Sequence, residues 1–200
     1  MYSSFILDWL LRGFEGMDEI VSELQAPGEP NAALLRVLDC VAAVLVVLLA
    51  VWAREVMPRG VWREVFAWAT VVFAVGVVVA AVVTEPCGPG LVCDAPSQVT
   101  QKAIHGWAST ASDTALFVGV LAAIVSTRRT GPGWFRRAAW VVLVVGGLVS
   151  SALFAWFAHT DDPAWAAALT QRVHILCIST WIFCLGLVAA TADRREHSTT

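Results

Sequence analysis

The stretch REVMPRGVWREVFAWATVVFAVGVVVAAVVT, Arg54 to Thr84, opens with three arginines in ten residues and then runs for twenty, from Val65, without one Asp, Glu, Lys or Arg. A helix that crosses the hydrocarbon core of a bilayer needs about 20 predominantly apolar residues. Val65 to Thr84 meets that length and is too apolar to suit a half-solvated helix. Four more windows qualify: Ala33 to Ala53, His105 to Thr127, Ala138 to Ala158 and Val173 to Ala192. The first carries Arg36 and Asp39 near its start and the third carries Asp113; the other two have no charged residue. With 58% hydrophobic residues and a mean hydropathy of +0.71, the 200-residue chain has more apolar surface than a soluble domain of its size can bury. The expected fold is all-α, an integral membrane bundle of five transmembrane helices.

The basic residues alternate from loop to loop. Arg54, Arg59 and Arg63 follow the first span, Arg128, Arg129, Arg136 and Arg137 follow the third, and Arg194 and Arg195 follow the fifth. The opposite loops hold only Arg12 and Lys102, and carry most of the acid, from Asp8 to Glu29 and again at Glu85, Asp94, Asp161 and Asp162. The positive-inside rule then places the N-terminus outside and the C-terminus in the cytoplasm, as expected of a multi-pass protein of the plasma (inner) membrane. The net charge of −3 conceals this dipolar arrangement. Short membrane-flanking arginine clusters are not an extended basic face, so nucleic-acid binding is not expected. The first residues lack the basic start of a signal peptide, and Asp8 interrupts the apolar run from Phe5 to Leu11. Either the first span translocates the N-terminal tail, or a further helix precedes it.

In Phe5 to Leu24, apolar residues from Ile6 and Trp9 to Val21 and Leu24 recur at spacings of three and four, opposite Asp8, Arg12, Glu15, Glu19 and Glu23. That pattern predicts an outer amphipathic helix, and its acidity favours capping the bundle over lying on lipid. Asn31 is placed to N-cap the first span. The expected organisation is an extracytoplasmic segment 1–32, a transmembrane domain 33–193 and a cytoplasmic tail 194–200. In the outer loop, Pro86, Gly88, Pro89 and Gly90 reverse the chain between Cys87 and Cys93, where a disulfide is geometrically plausible in an oxidising compartment. Gly146, Gly147, Ser150 and Ser151 in the fourth span, and Ala111, Ala115 and Gly119 in the third, permit close helix approach. Eight tryptophans cluster at predicted span ends as an aromatic belt, while Trp181 lies deeper, where packing between helices is expected.

His105, Ser109 and Asp113 stand at i, i+4 and i+8 of the third span, with Ser112 near the same stripe. At 1.5 Å per residue Asp113 lies roughly 12 Å along the axis from His105, deep enough that its carboxyl must be paired, protonated or hydrated. Arg36, Asp39, His159, Arg172 and His174 share its outer half of the membrane. The inner half is nearly pure Val, Ala, Leu and Ile, which opposes a continuous ion path and suits an outward-facing polar pocket. Three readings compete. The preferred one is a structural network in which Arg36 or Arg172 pairs with Asp113. The second is a site for a lipid or other amphiphile, with Arg36 and Arg172 meeting phosphate. The third is a metal-dependent hydrolase of a lipid amide or ester, with His105, His159 and His174 on zinc and Asp113 or Asp39 orienting water. Residues stacked on one helix cannot form a Ser/His/Asp triad, and no catalytic, nucleotide-binding or cofactor motif is present, so no cofactor is expected.

The segment Ser22-Glu23-Leu24-Gln25-Ala26-Pro27-Gly28-Glu29-Pro30-Asn31-Ala32, the Ile104-His105-Gly106 opening of the third span and Thr170-Gln171-Arg172-Val173 near the start of the last resemble the bacterial and archaeal membrane family called domain of unknown function 998. More distantly they resemble the DRAM/Frag/Sfk-type membrane proteins. The resemblance runs from about Met17 to Ala192. It implies a six-helix bundle whose first helix precedes the Ser-Glu-Leu segment, a helix not found in this sequence, and it implies no reaction. It lends weight to His105 and Arg172 as outer-side polar residues. The reading is of a non-enzymatic accessory or lipid-interacting protein whose partners are membrane lipid and, in addition, other membrane proteins.

Overall fold

The computed structural model describes residues 3–158, 160 and 164–197. All regular structure among them is helical. Five helices are long and apolar enough to cross a membrane: α2 (Ala32–Glu55), α3 (Val61–Val82), α4 (Pro96–Ser126), the fourth span (Gly133–Phe157) and α7 (Ala164–His197). The fourth span is composite, with α5 (Gly133–Val141) and α6 (Ser151–Phe157) separated by a π-helical segment over Val142–Ser150. Two helices start earlier than hydropathy indicates. α4 starts at Pro96 rather than His105, because proline suits the first helical position and Gln98 Oε1 accepts from the Ala95 amide. α7 starts at Ala164 rather than Val173. Hydropathy marks where lipid lies along a helix and leaves out turns that project beyond it.

The core runs down the axis of the bundle. Phe66, Phe73, Val120, Phe135 and Ile178 are fully buried, and Trp181, at 2% exposure, stacks on Phe135. Of the other tryptophans, Trp52, Trp68, Trp107 and Trp156 stand outward, Trp52 and Trp156 near the ends of their helices, as an aromatic belt does. Helices α3 and α4 approach closely. A Cβ added at Gly76 would lie 2.6 Å from Ser112 Cβ and 2.9 Å from the Ala108 carbonyl oxygen, so only glycine admits this approach.

The N-terminal segment departs from the single amphipathic helix predicted for Phe5 to Leu24. Helix α1 covers only Phe5–Leu11. Gly13, Phe14 and Gly16 then take positive φ values of 63°, 70° and 71°, left-handed geometry that ends a helix and, at Phe14, is strained for a side chain with a Cβ. Residues 3–31 instead fold across one end of the bundle, held by side chains reaching up from the spans. The Arg12 guanidinium lies within 3.7 Å of carboxylates of Asp8, Glu19 and Glu29. Asn31 occupies the expected N-cap position of α2, but its side chain makes no cap bond: its amide donates to the buried Asp8 carboxylate at 2.8 Å. Cys87 and Cys93 are disulfide-bonded in the α3–α4 loop at the same end. Arg54 and Arg63 mark the opposite, arginine-rich end, where both meet Glu64.

Candidate functional site

His174 lies between three elements. Its Nδ1 is 2.8 Å from the Gly146 carbonyl of the π segment and 3.4 Å from Ser151 Oγ, and its Nε2 is 3.1 Å from Asp113 Oδ2 on α4. A carbonyl can only accept, so Nδ1 carries a proton. The Nε2–H direction passes wide of the carboxylate, leaving this 3.1 Å contact short of full hydrogen-bond geometry. The Phe117 ring stands edge-on to the imidazole with centroids 5.4 Å apart. π-helical turns are rare and concentrate at functional sites, and this one supplies the carbonyl that fixes His174.

His105, at the capped end of α4, has Nδ1 3.1 Å from the Ala80 carbonyl and 2.8 Å from that of Val83. These are among the last carbonyls of α3, which have no partner within their own helix, so His105 donates from Nδ1 and caps α3. Gln101 adds a third such contact, to the Thr84 carbonyl at 2.9 Å. Ser112 donates to the Phe73 carbonyl at 2.8 Å across the seam. On α2, Asp39 accepts from the Gln25 amide at 2.7 Å and from Ser4 Oγ at 3.4 Å. Among the described residues no Lys, Arg or His nitrogen lies at ion-pair distance from Asp39.

These residues surround a polar cavity of about 110 Å³, with Asp39, His105, Ser109, Asp113 and His174 in its walls and Ser4, Val21 and Gln25 of the N-terminal segment as its roof. A second, larger space of about 720 Å³ lies between α4 and the fourth span, lined by Phe117, Leu121, Leu143, Leu148 and Phe154. His105, Ser109, Asp113, Gln171 and His174 border both. One wall of polar side chains therefore divides a small chamber, the more polar of the two, from an apolar cleft on the flank of the bundle.

Five of the seven pocket residues expected from sequence thus come together, and the two arginines do not. Arg172, 3% exposed, donates to the Glu19 carbonyl at 2.7 Å and the Gly16 carbonyl at 3.1 Å. Its guanidinium carbon lies 5.8 Å from the Phe5 ring centroid and 5.0 Å from that of Trp9, a cation–π seat. Arg36 turns back to the Ala32 carbonyl of its own helix. The expected pairing of Asp113 with Arg36 or Arg172 is replaced by His174, because Arg172 is drawn to the orphan carbonyls of the folded N-terminal segment. Sequence reasoning missed Ser4, Gln25 and Gln171, whose amide oxygen accepts from the Val21 amide at 2.6 Å. Gln25 lay within a quoted motif, but only the fold brings it over Asp39. His159 falls outside the described residues. Among those described, no three His, Cys, Asp or Glu side chains gather as metal ligands do.

A family model described as protein of unknown function (DUF998) matches residues 1–188. The chain belongs to this family. The DUF998 match takes in the N-terminal segment ahead of Met17, so the residues that roof the polar cavity lie within the family region. It ends short of Ala192, and thus within α7. No curated protein and no solved structure matches the chain. This DUF998 member is a multi-pass membrane protein with five apolar helices.

Proposed function

We propose that this protein is a lipid-interacting membrane protein that admits an amphiphile sideways from the outer leaflet of the plasma membrane, without acting on it chemically. The arginine-rich end faces the cytoplasm in this reading, by the positive-inside rule, and the capped end faces outward. The observation that carries the reading is the shared wall: a polar chamber of about 110 Å³ abuts an apolar cleft of about 720 Å³ on the flank of the bundle. Ligand sites are commonly concave, mostly apolar and furnished with a few convergent polar groups, at about 300–1,000 Å³. An amphiphile divides in the same way, with its chain against Phe117, Leu121 and Leu148 and its headgroup toward Asp113 and His174. Neither arginine lines either space, so the phosphate-clamp form of the lipid reading is set aside.

The test is equilibrium binding of a pyrene-labelled single-chain lipid to the full chain in phosphatidylcholine nanodiscs. Leu121→Trp fills the cleft, whereas Val72→Trp places the same ring on the lipid-facing side of α3, where Val72 is 49% exposed. Saturable binding to the wild type and Val72→Trp, weakened at least about tenfold in Leu121→Trp, is the expected result. Unsaturable partitioning in all three would sink the reading.

A further inference from the structure

The headgroup can be narrowed by charge, on the premise that the cleft takes an amphiphile as proposed above. Three carboxylates border the two spaces: Asp39 in the polar chamber, Asp113 in both, and Glu85 along the cleft. Among the described residues no Lys or Arg side chain lines either one. Lys102 is exposed and acts on Glu23, which lies outside both linings. His174 can offset at most one of the three charges, and its Nε2 lies 3.1 Å from Asp113 without full hydrogen-bond geometry. Among the described residues Asp39 receives neutral donors, from Gln25 and Ser4.

An anionic headgroup entering this chamber would meet carboxylates at low dielectric with no fixed cation to oppose them, which is costly. A cationic headgroup that also carries N–H donors satisfies the same groups, because charge-assisted N–H···O bonds to carboxylates are about twice as strong as neutral ones. The His174 ring, 8% exposed and with Nε2 lacking a well-aligned partner, borders the chamber and marks it as incompletely satisfied from within. The chamber is small: a water needs about 10–15 Å³ measured in this way, so about 110 Å³ accommodates roughly seven to eleven water-sized groups.

We infer that the chamber and cleft together take a single-chain amphiphile whose headgroup is a primary ammonium, donating to the Asp39 and Asp113 carboxylates while its chain occupies the cleft between α4 and the fourth span. Ser109 and Gln171, on the dividing wall, are placed to meet a polar group at the junction of head and chain.

The experiment compares four probes of equal chain length on the full chain in phosphatidylcholine nanodiscs at neutral pH: dodecylamine, dodecanol, dodecanoate and dodecyltrimethylammonium. Each competes against the pyrene-labelled lipid. Dodecylamine is expected to displace it at about tenfold lower concentration than dodecanol or the trimethylammonium probe, which keeps the charge but has no N–H, and dodecanoate least of all. Asp39→Asn and Asp113→Asn should each erase most of the amine's advantage over dodecanol, whereas Val72→Trp, on the lipid-facing side of α3, should keep it. Equal displacement by all four probes would overturn the headgroup assignment and leave the cleft reading standing. Matching displacement by the amine and trimethylammonium probes would overturn it in favour of surface electrostatics. Saturable binding of none would overturn both. Since the four probes act on the wild type, the result survives a variant that fails to fold.

Discussion

Helix α4 has two sides that solve opposite problems. Toward α3 it is locked: Gly76 admits Ser112 and Ala108 against the backbone, Ser112 donates to the Phe73 carbonyl, and His105 and Gln101 cap the end of α3. Toward the fourth span it is open, with a cleft of about 720 Å³ and the Asp113–His174 contact at its wall. Of the most apolar window of each span, 44% is buried in α4 but only 22% in the fourth span, so lipid rather than protein covers most of the latter. In a bilayer, apolar packing gains little from exchanging lipid for protein, and association rests on close backbone approach and polar contacts. Where small residues and carbonyl acceptors coincide, helices lock. Where a π segment widens one helix opposite Phe117, they leave room.

The contrast is broken most severely at Gly76. Gly76→Leu forces the α3–α4 seam apart, because its first side-chain atom already meets Ser112 Cβ and the Ala108 oxygen, and should cost about 3 kcal/mol. Gly147→Ala meets only the Phe117 ring, at 2.8 Å, which borders the cleft and has space to swing, so its cost should stay below about 1 kcal/mol. Melting temperatures in detergent compare the two, and similar losses would refute the distinction between a locked side and an open one.

A smaller effect is expected for the contact that bridges the open side. In a double-mutant cycle of Asp113→Asn and His174→Ala, the coupling should be about 1 kcal/mol, the scale of polar contacts between membrane helices. Histidine can shed its proton when its partner is lost, which spares the bundle a stranded charge. Coupling near zero would mean that the fourth span is held by the His174–Gly146 bond alone.

The smallest effect concerns the cap. Burial first, and then the charge of Glu85, hold the Glu23 carboxyl above its ordinary value of 4.5. The folded state therefore binds this proton more tightly than the unfolded chain, and stability falls as pH rises from about 4.5 through the higher folded value. Glu23→Gln should flatten the melting temperature across that window and raise it slightly at neutral pH. A steeper pH dependence in the variant would show that Glu23 is paired rather than opposed by its surroundings.

The lengths of the apolar runs and the spacing of the arginine clusters were enough to place five spans, because lipid imposes one requirement on every residue of a helix and composition records it. The stripe of His105, Ser109 and Asp113 was legible for the same reason: residues at i, i+4 and i+8 share a face whatever surrounds them. Gly13 and Gly16 could have warned that Phe5 to Leu24 is not one helix, since the apolar period runs on through residues whose backbone turns left-handed. Only the tertiary structure decided what the polar residues face. It sends Arg172 to the carbonyls of Gly16 and Glu19, gives Asp113 to His174, brings Gln25 over Asp39 and opens the cleft beside Phe117. A polar group in a dry bundle takes whichever complementary group the fold brings within about 3 Å, and that choice depends on helix positions that no local pattern encodes.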